Sequence, residues 1–249
     1  MPRIAVLSDI HGNLEALEAV LRQAKAEGVA GLVQLGDLVG YNANPRECLL
    51  LVREEGMQSV LGNHDLAVLE PAVAESFNVL AYEALQYSAE RLTDGDRQYL
   101  KSLPRNRVLL SSYLLCHGTP ENAESYILHA FQAKRVFNLL QRKYPGIRVC
   151  FFGHTHLQKV WIKDERGKVF SPAAIPPGFS IEDGKRYLIN PGSVGQPRQK
   201  NNHAHYLIFD SDAEVITFKT APYDIRKAQR KIREAGLPEY LARRLAEGV

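Results

Sequence analysis

Five short apolar runs in this chain each stop at a carboxylate, an imidazole or an amide, and that repeated arrangement restricts the fold more than any other feature. Arg3-Ile-Ala-Val-Leu-Ser-Asp9 reads as a first strand ending at a carboxylate, with His11 two residues on. Gly31-Leu-Val-Gln-Leu-Gly36 is a second and delivers Asp37. Gln58-Ser-Val-Leu61 is a third and ends at Gly62-Asn63-His64-Asp65. Tyr113-Leu-Leu-Cys116 leads into His117, and Arg148-Val-Cys-Phe-Phe152 leads through Gly153, which permits a sharp turn, into His154-Thr155-His156. Short apolar runs with β-branched and aromatic residues read as buried strands.

Helical patterns separate the first three runs. Asn13 suits an N-cap, and Leu14, Leu17 and Leu21 form one stripe as far as about Glu27. Pro45 suits the first position of a helix running to about Glu55. Strand and helix in alternation predict an α/β fold built on a largely parallel sheet with helices outside. In such a sheet, ligands gather beyond the carboxyl ends of the strands.

Residues 66–104 change character: Phe77, Leu80, Tyr82, Leu85 and Tyr87 sit among Ala and Glu and predict one or two helices, with Thr93-Asp-Gly-Asp96 a capped start and Pro104 a stop. This helical excursion is expected to form a wall of the site. Further on, the sequence predicts a strand at Arg107–Leu110, a helix from about Phe131 to Lys143, and a hairpin from Lys159 to Phe170 around Glu165-Arg-Gly167. Tyr187–Ile189, His205–Phe209 and Val215–Phe218 read as strands, and basic helices span about Ile225 to Glu247. No linker or repeat interrupts residues 1–249, which are expected to form a single domain.

Bulk composition excludes several classes. Hydrophobic residues make up 45% and charged residues 24%, a globular balance able to fill a core. A net charge of +3 is too mild for a strong nucleic-acid surface. Nothing approaches the roughly 18 apolar residues of a membrane span, and the first apolar run is cut short by Ser8 and Asp9. Cys48, Cys116 and Cys150 are odd in number and lie in apolar segments, so they read as buried thiols in a reducing compartment, the cytoplasm. Nothing in the sequence marks an oligomeric state.

Mixed carboxylate and imidazole donors suit Mn, Fe, Co, Ni or Zn, with Mn favoured, and argue against an all-oxygen calcium cage. Asp9, His11, Asp37, Asn63, His117, His154 and His156 are too many donors for one ion and suit two divalent ions with open positions. Two such ions carry more positive charge than Asp9 and Asp37 return, and the surplus matches a phosphate dianion. A metal pair roughly 3.5–4 Å apart can hold both oxygens of an in-line displacement and lower the pKa of a shared water.

Asp9-x-His11, Gly36-Asp37, Gly62-Asn63-His64-Asp65, His117 and Gly153-His154-x-His156, in this order, resemble the motif blocks of the calcineurin-like metallophosphoesterases. The resemblance runs from residue 4 to about 210. It implies a four-layer αββα sandwich of two mixed β-sheets flanked by helices, and hydrolysis of phosphodiesters or phosphomonoesters by a metal-activated water. By the same resemblance Asp9, His11 and His156 hold one ion, Asn63, His117 and His154 hold the other, and Asp37 bridges them. His64 would protonate the leaving group, a role typically worth about 10²–10⁴ in rate. Asp65 would either orient His64 or cap the following helix.

The segment Asn190–Arg198 looks like a loop that some bacterial members place near the site, where Arg198 would grip a substrate phosphate bidentately; the alternative is a turn with a solvated arginine. His129, His203 and His205 lack an accompanying carboxylate motif and read as structural or surface residues. Protein phosphatases of the family carry Asp-Arg-Gly shortly after the bridging aspartate, whereas this chain has Gly36-Asp37-Leu-Val-Gly-Tyr41, so their substrate recognition is not carried over. The expected substrate is a small phosphate ester, nucleotides included. The competing reading is a catalytically inactive scaffold or interaction protein of the same fold; such proteins typically lose ligands, and none is missing here.

Overall fold

A computed structural model describes residues 3–249. The chain runs β1 (Arg3–Leu7), α1 (Leu14–Ala26), β2 (Gly31–Gln34), α2 (Pro45–Glu54) and β3 (Gln58–Ser59). Four helices follow: α3 (Asn63–Ala67), α4 (Pro71–Ala74), α5 (Val79–Arg91) and α6 (Asp94–Ser102). Next come β4 (Asn106–Leu109), β5 (Tyr113–Cys116), α7 (Ala130–Lys143), β6 (Val149–Phe151), β7 (Gln158–Lys163), β8 (Val169–Phe170) and β9 (Gly178–Ser180). The last elements are β10 (Arg186–Pro191), β11 (Ala204–Asp210), β12 (Val215–Ala221), α8 (Ile225–Glu234) and α9 (Glu239–Glu247).

Local chemistry accounts for many of the boundaries. The Asn13 side chain accepts from the Ala16 N–H, Pro45 sits in the first turn of α2, and Thr93 and Asp96 close a reciprocal capping box. The excursion holds more helices than the one or two expected. Pro71 starts a new helix because it has no N–H to continue the old one, and Asn78 caps α5 by accepting from Ala81 N–H.

The strands form two sheets, ordered β3-β2-β1-β11-β12-β9 and β4-β5-β6-β10-β7-β8. Among the described residues only β1, β2 and β3, and separately β5, β6 and β10, run parallel. The largely parallel sheet expected from the N-terminal alternation is therefore half of the first sheet, because β11 slots antiparallel against β1 from some 200 residues away, pairing Ala5 with Ile208. β9 is not predicted at all. Its residues are exposed or half-buried, and pairing with β12 alone makes them a strand.

Burial on both faces explains the unbroken apolar runs. Ile4 and Val6 of β1 face the second sheet, meeting a core that includes Phe151, Ile189 and Phe209, while Ala5 and Leu7 face α1 and α2 with Leu17, Val20 and Leu49. On the far side, Leu114, Cys150 and Leu188 pack under Val136, Phe137 and Leu140 of α7. Helix, sheet, sheet and helix are thus the four layers expected. Truncating a residue such as the fully buried Phe209, whose ring meets Tyr113 at 4.7 Å, costs about 3–5 kcal/mol in comparable cores. α8 and α9 seat Ile232, Leu241 and Leu245 against Ala81 and Ala84 of α5. All three cysteines are buried thiols. No helix among the described residues is long and apolar enough to cross a membrane.

Candidate metal centre

β1, β2, β3, β5 and β6 all deliver their C-terminal ends to one place, and the loops there bring together every residue predicted for the site. Asp9, His11, Asp37, His154 and His156 each hold a positive φ, from 47° for His11 to 65° for His154. Non-glycine residues in that region cost on the order of 1–3 kcal/mol each and persist only where the surroundings enforce them. Here the loops are pinned to one another. Asp9 N–H donates to Gly36 O, His11 N–H to Asp37 O at 2.9 Å and Gly12 N–H to Leu38 O at 2.8 Å. Asn190 Nδ2 donates to Gly153 O at 2.7 Å and to Thr155 Oγ1 at 3.1 Å, fixing the turn that carries both histidines.

Gly153 acts differently from the expectation. His154 and His156 take the left-handed conformations themselves, and Gly153 is not among the residues of positive φ. What it supplies is room, since a Cβ there would stand 2.0 Å from Ser8 Oγ and 2.9 Å from Asp9 Oδ2. Gly62 does the same for the other loop, where a Cβ would lie 2.1 Å from Asp37 Oδ1.

Ring orientations follow from the carbonyls behind them. His11 Nδ1 faces Val39 O at 2.9 Å, His117 Nδ1 faces Leu35 O at 2.7 Å, and His156 Nδ1 faces Gln196 O at 2.7 Å. A carbonyl only accepts, so each Nδ1 carries a proton; the neutral rings of His11 and His156 point an Nε2 lone pair inward, while His117 Nε2 faces acceptor oxygens. His154 is reversed: its Nε2 donates to Glu124 O at 3.0 Å, leaving Nδ1 as the acceptor. His11 Nε2 and His156 Nε2 stand 3.1 Å apart, with Asp9 Oδ1 3.3 Å from the latter. Two lone pairs and a carboxylate facing one point repel one another unless a cation lies between them. On the other side, His117 Nε2 lies 3.2 Å from Asp37 Oδ2 and 2.9 Å from Asn63 Oδ1. Asp37 Oδ2 is also 3.6 Å from His11 Nε2, so this carboxylate stands between the two groups. Donor atoms within 4.8 Å of one another occur in Asp9–His11–His156, in Asp37–His117–His154 and in His11–Asp37–His64.

All seven predicted donors are buried. Burial holds the His11 and His156 imidazoles well below their usual range, so both are neutral near pH 7 and free to bind a cation. Burial also pushes Asp9 up to about 7, against the pull of His117. Burial would lower His117 too, but the carboxylates of Asp37 and Asp9 outweigh it and raise the ring to about 9. Asp37 is raised by burial and lowered more strongly by His117 and His64, and stays ionised.

A cavity of about 260 Å³ opens onto Asp37, Asn63, His154 and His156, lined also by His64 and Arg198 and walled by Tyr41, Phe77 and Tyr126. Phe77 comes from the turn between α4 and α5, so the helical excursion does supply a wall. The His64 ring sits 4.6 Å from that of His11 and 4.8 Å from that of Phe77, and its backbone N–H donates to Asp37 Oδ1 at 2.9 Å. Burial pushes this imidazole down to about 4. Arg198 Nη2 donates to Gln196 Oε1, while its buried Nε has no hydrogen-bond partner among the described residues.

Of the two roles open to Asp65, the backbone one is seen. Its carboxylate accepts from the N–H groups of Asp37, Leu38, Val39 and Gly62, at 2.8, 2.8, 3.2 and 3.1 Å, tying the Asp37 loop to the start of α3. His129, His203 and His205 lie away from this cluster. His129 is exposed before α7, and His205 is buried in β11 with neither ring nitrogen paired among the described residues. Sequence reasoning missed Asn190, Tyr41, Phe77 and Tyr126. An aromatic residue in a loop carries no signal of its own, and Asn190 shows only as part of an Asn-Pro-Gly turn.

Two mixed sheets between helices, with carboxylates and imidazoles gathered at the strand ends, define a metallophosphoesterase. The chain belongs to the calcineurin-like phosphoesterase superfamily, whose domain model matches residues 2–214. It is similar to the metallophosphoesterase from Sphaerobacter thermophilus, with 38% identity and a TM-score of 0.83 over 100% of this chain and 99% of that one. It is 37% identical over 249 residues to the uncharacterized protein MJ0912 from Methanocaldococcus jannaschii, covering 98% of each. The phosphodiesterase YfcE from Escherichia coli strain K12 is 29% identical over 218 residues, covering 85% of this chain and 89% of that protein.

Proposed function

We propose that this chain, acting as one domain over residues 1–249, hydrolyses small phosphate esters at a two-metal centre. In this reading Asp9, His11 and His156 hold one divalent ion, Asn63, His117 and His154 hold the other, and Asp37 contacts both. The observation that carries it is the meeting of His11 Nε2 and His156 Nε2 at 3.1 Å beside Asp9, an arrangement of acceptors that fits a cation. The nitrogen and oxygen donors favour manganese and accept iron, zinc, nickel or cobalt. When bound, such a pair would polarise the phosphate and supply a nucleophile at neutral pH.

The protein's own groups would do the rest. Arg198, with a buried and unpaired Nε at the cavity wall, would grip the phosphate and fix its orientation. His64 would donate its proton to the departing alkoxide oxygen. Burial keeps the free ring neutral, and the negative charge of an incoming phosphate works against that by favouring the imidazolium. Tyr41 and Phe77 pack around His64 and would limit water at that proton. A diester is favoured by the similarity to a phosphodiesterase, and the small cavity suits a ligand of nucleotide size better than a folded phosphoprotein. Three buried, unpaired thiols support a cytoplasmic setting.

Bis-p-nitrophenyl phosphate and p-nitrophenyl phosphate should be hydrolysed with added manganese and spared when a chelator is present. His64 is the critical variant, because its ring also lies within donor distance of His11 and Asp37. His64→Asn should lower turnover about 10²–10⁴-fold with metal content near normal. A variant that loses a metal ion would make His64 a ligand instead of an acid.

A further inference from the structure

Two aromatic rings line the cavity beyond the metal donors: Tyr126, which the chemistry proposed above does not use, and Phe77, used there only to shield His64. Tyr126, in the loop between β5 and α7, is 45% exposed, and its ring stacks on His154 with centroids 4.1 Å apart and planes 30° apart. The Phe77 ring meets that of His64 nearly at right angles, with centroids 4.8 Å apart. Both line the same cavity as Arg198.

Phe77 is anchored from behind by the core, packing against the clusters under α2 and α5, whereas Tyr126 has no core contact among the described residues to explain its placement. Holding an exposed tyrosine flat costs side-chain freedom and leaves apolar surface in water. Apolar surface continues outward along both segments, with Leu128 and Phe131 exposed beyond Tyr126 and Val79 exposed beyond Phe77. The stacking on His154 fixes the plane of the Tyr126 ring and presents its other face to an entering ligand. Glu124 and Asn78 also line the cavity. Asn78 Oδ1 is occupied by the Ala81 N–H, so Nδ2 remains to donate, while the Glu124 carboxylate accepts. One donor and one acceptor beside flat apolar faces suit the edge of a nitrogen heterocycle.

Building on the phosphoesterase reading, we infer that Phe77 and Tyr126 form a slot for a planar ring carried by the ester's alcohol. The site then selects aryl or nucleoside phosphates over esters of plain sugars and alkanols.

Calorimetric titration of the manganese-loaded protein with two ligand pairs tests this. AMP carries a base where ribose 5-phosphate carries a hydroxyl, and benzyl phosphate and cyclohexylmethyl phosphate set a flat aromatic ring against a puckered saturated one. The planar member should bind about tenfold more tightly, as expected for one ring stacked on an aromatic side chain. Selectivity confined to AMP assigns the slot to nucleosides, and selectivity in both pairs assigns it to planar rings in general. Tyr126→Ala and Phe77→Ala should each bring the ratio to within about twofold of unity by weakening AMP far more than ribose 5-phosphate, and Tyr126→Trp should preserve selectivity. Equal affinities within both pairs for the unaltered protein, or a Tyr126→Ala variant that weakens both members alike, overturn the slot. Turnover of bis-p-nitrophenyl phosphate is measured alongside. Ring-selective binding without turnover of any ester would contradict the phosphoesterase reading and leave the slot standing.

Discussion

His117 and Asp37 meet at 3.2 Å in the interior, and the carboxylate, with help from Asp9, raises the imidazole to about 9 against the effect of burial. At neutral pH the metal-free protein therefore holds a proton where a cation would bind. Loading must release it. Apparent affinity for manganese should rise as pH goes from 6.5 to 9, with proton release visible as a buffer-dependent heat in calorimetry. The metal-free protein should show the opposite trend in stability. A group raised above its ordinary 6.5 stabilises fully below that value, and the contribution is lost as pH rises through 9. Affinity that stays flat across this window would contradict the pairing.

Asp65 is the residue whose removal should do most harm without touching a ligand. Asp65→Ala leaves four buried N–H groups without their acceptor, at a cost on the order of 3 kcal/mol or more. Because three of those groups belong to the Asp37 loop, metal affinity should also fall about 10–100-fold. Denaturant unfolding and metal titration of one variant check both. Near-native stability would show that water replaces the carboxylate.

Gly153→Ala places a methyl group 2.0 Å from Ser8 Oγ and 2.9 Å from Asp9 Oδ2. Overpacking of this kind costs about 1–3 kcal/mol, and here the group displaced includes a predicted ligand. The expected outcome is a folded protein with weakened metal binding, partly restored by Ser8→Ala, which removes the nearest obstacle. Restoration absent from the double variant would place the strain in the backbone of β6.

His205 carries a stability effect separate from the site. Burial pushes its imidazole down to about 4, with His203 adding to the shift. A group depressed below its ordinary 6.5 leaves stability untouched above that pH. As pH falls toward 4, the unfolded chain takes up the proton first and stability drops by up to about 3 kcal/mol. His205→Leu should flatten that loss in denaturant unfolding compared at pH 4.5 and 7.5. An unchanged acid slope would mean that the ring finds a partner when protonated.

The sequence alone was enough to determine which strand ends carry Asp9, Asp37, Asn63, His117 and His154, because buried strands and capped helices are written in local periodicity and single residues such as Asn13 and Pro45. It was also enough for the αββα class, through the order of the motif blocks. Tertiary structure alone decided that β11 pairs antiparallel with β1, that His154 and His156 make their own left-handed turn over a glycine kept small for Ser8, and that Tyr126 closes over His154. The physical reason is range. Periodicity reports which face of an element is buried, whereas strand order, positive φ at a ligand and the ring at a pocket mouth depend on neighbours from about 30 to more than 200 residues away, which no local pattern encodes.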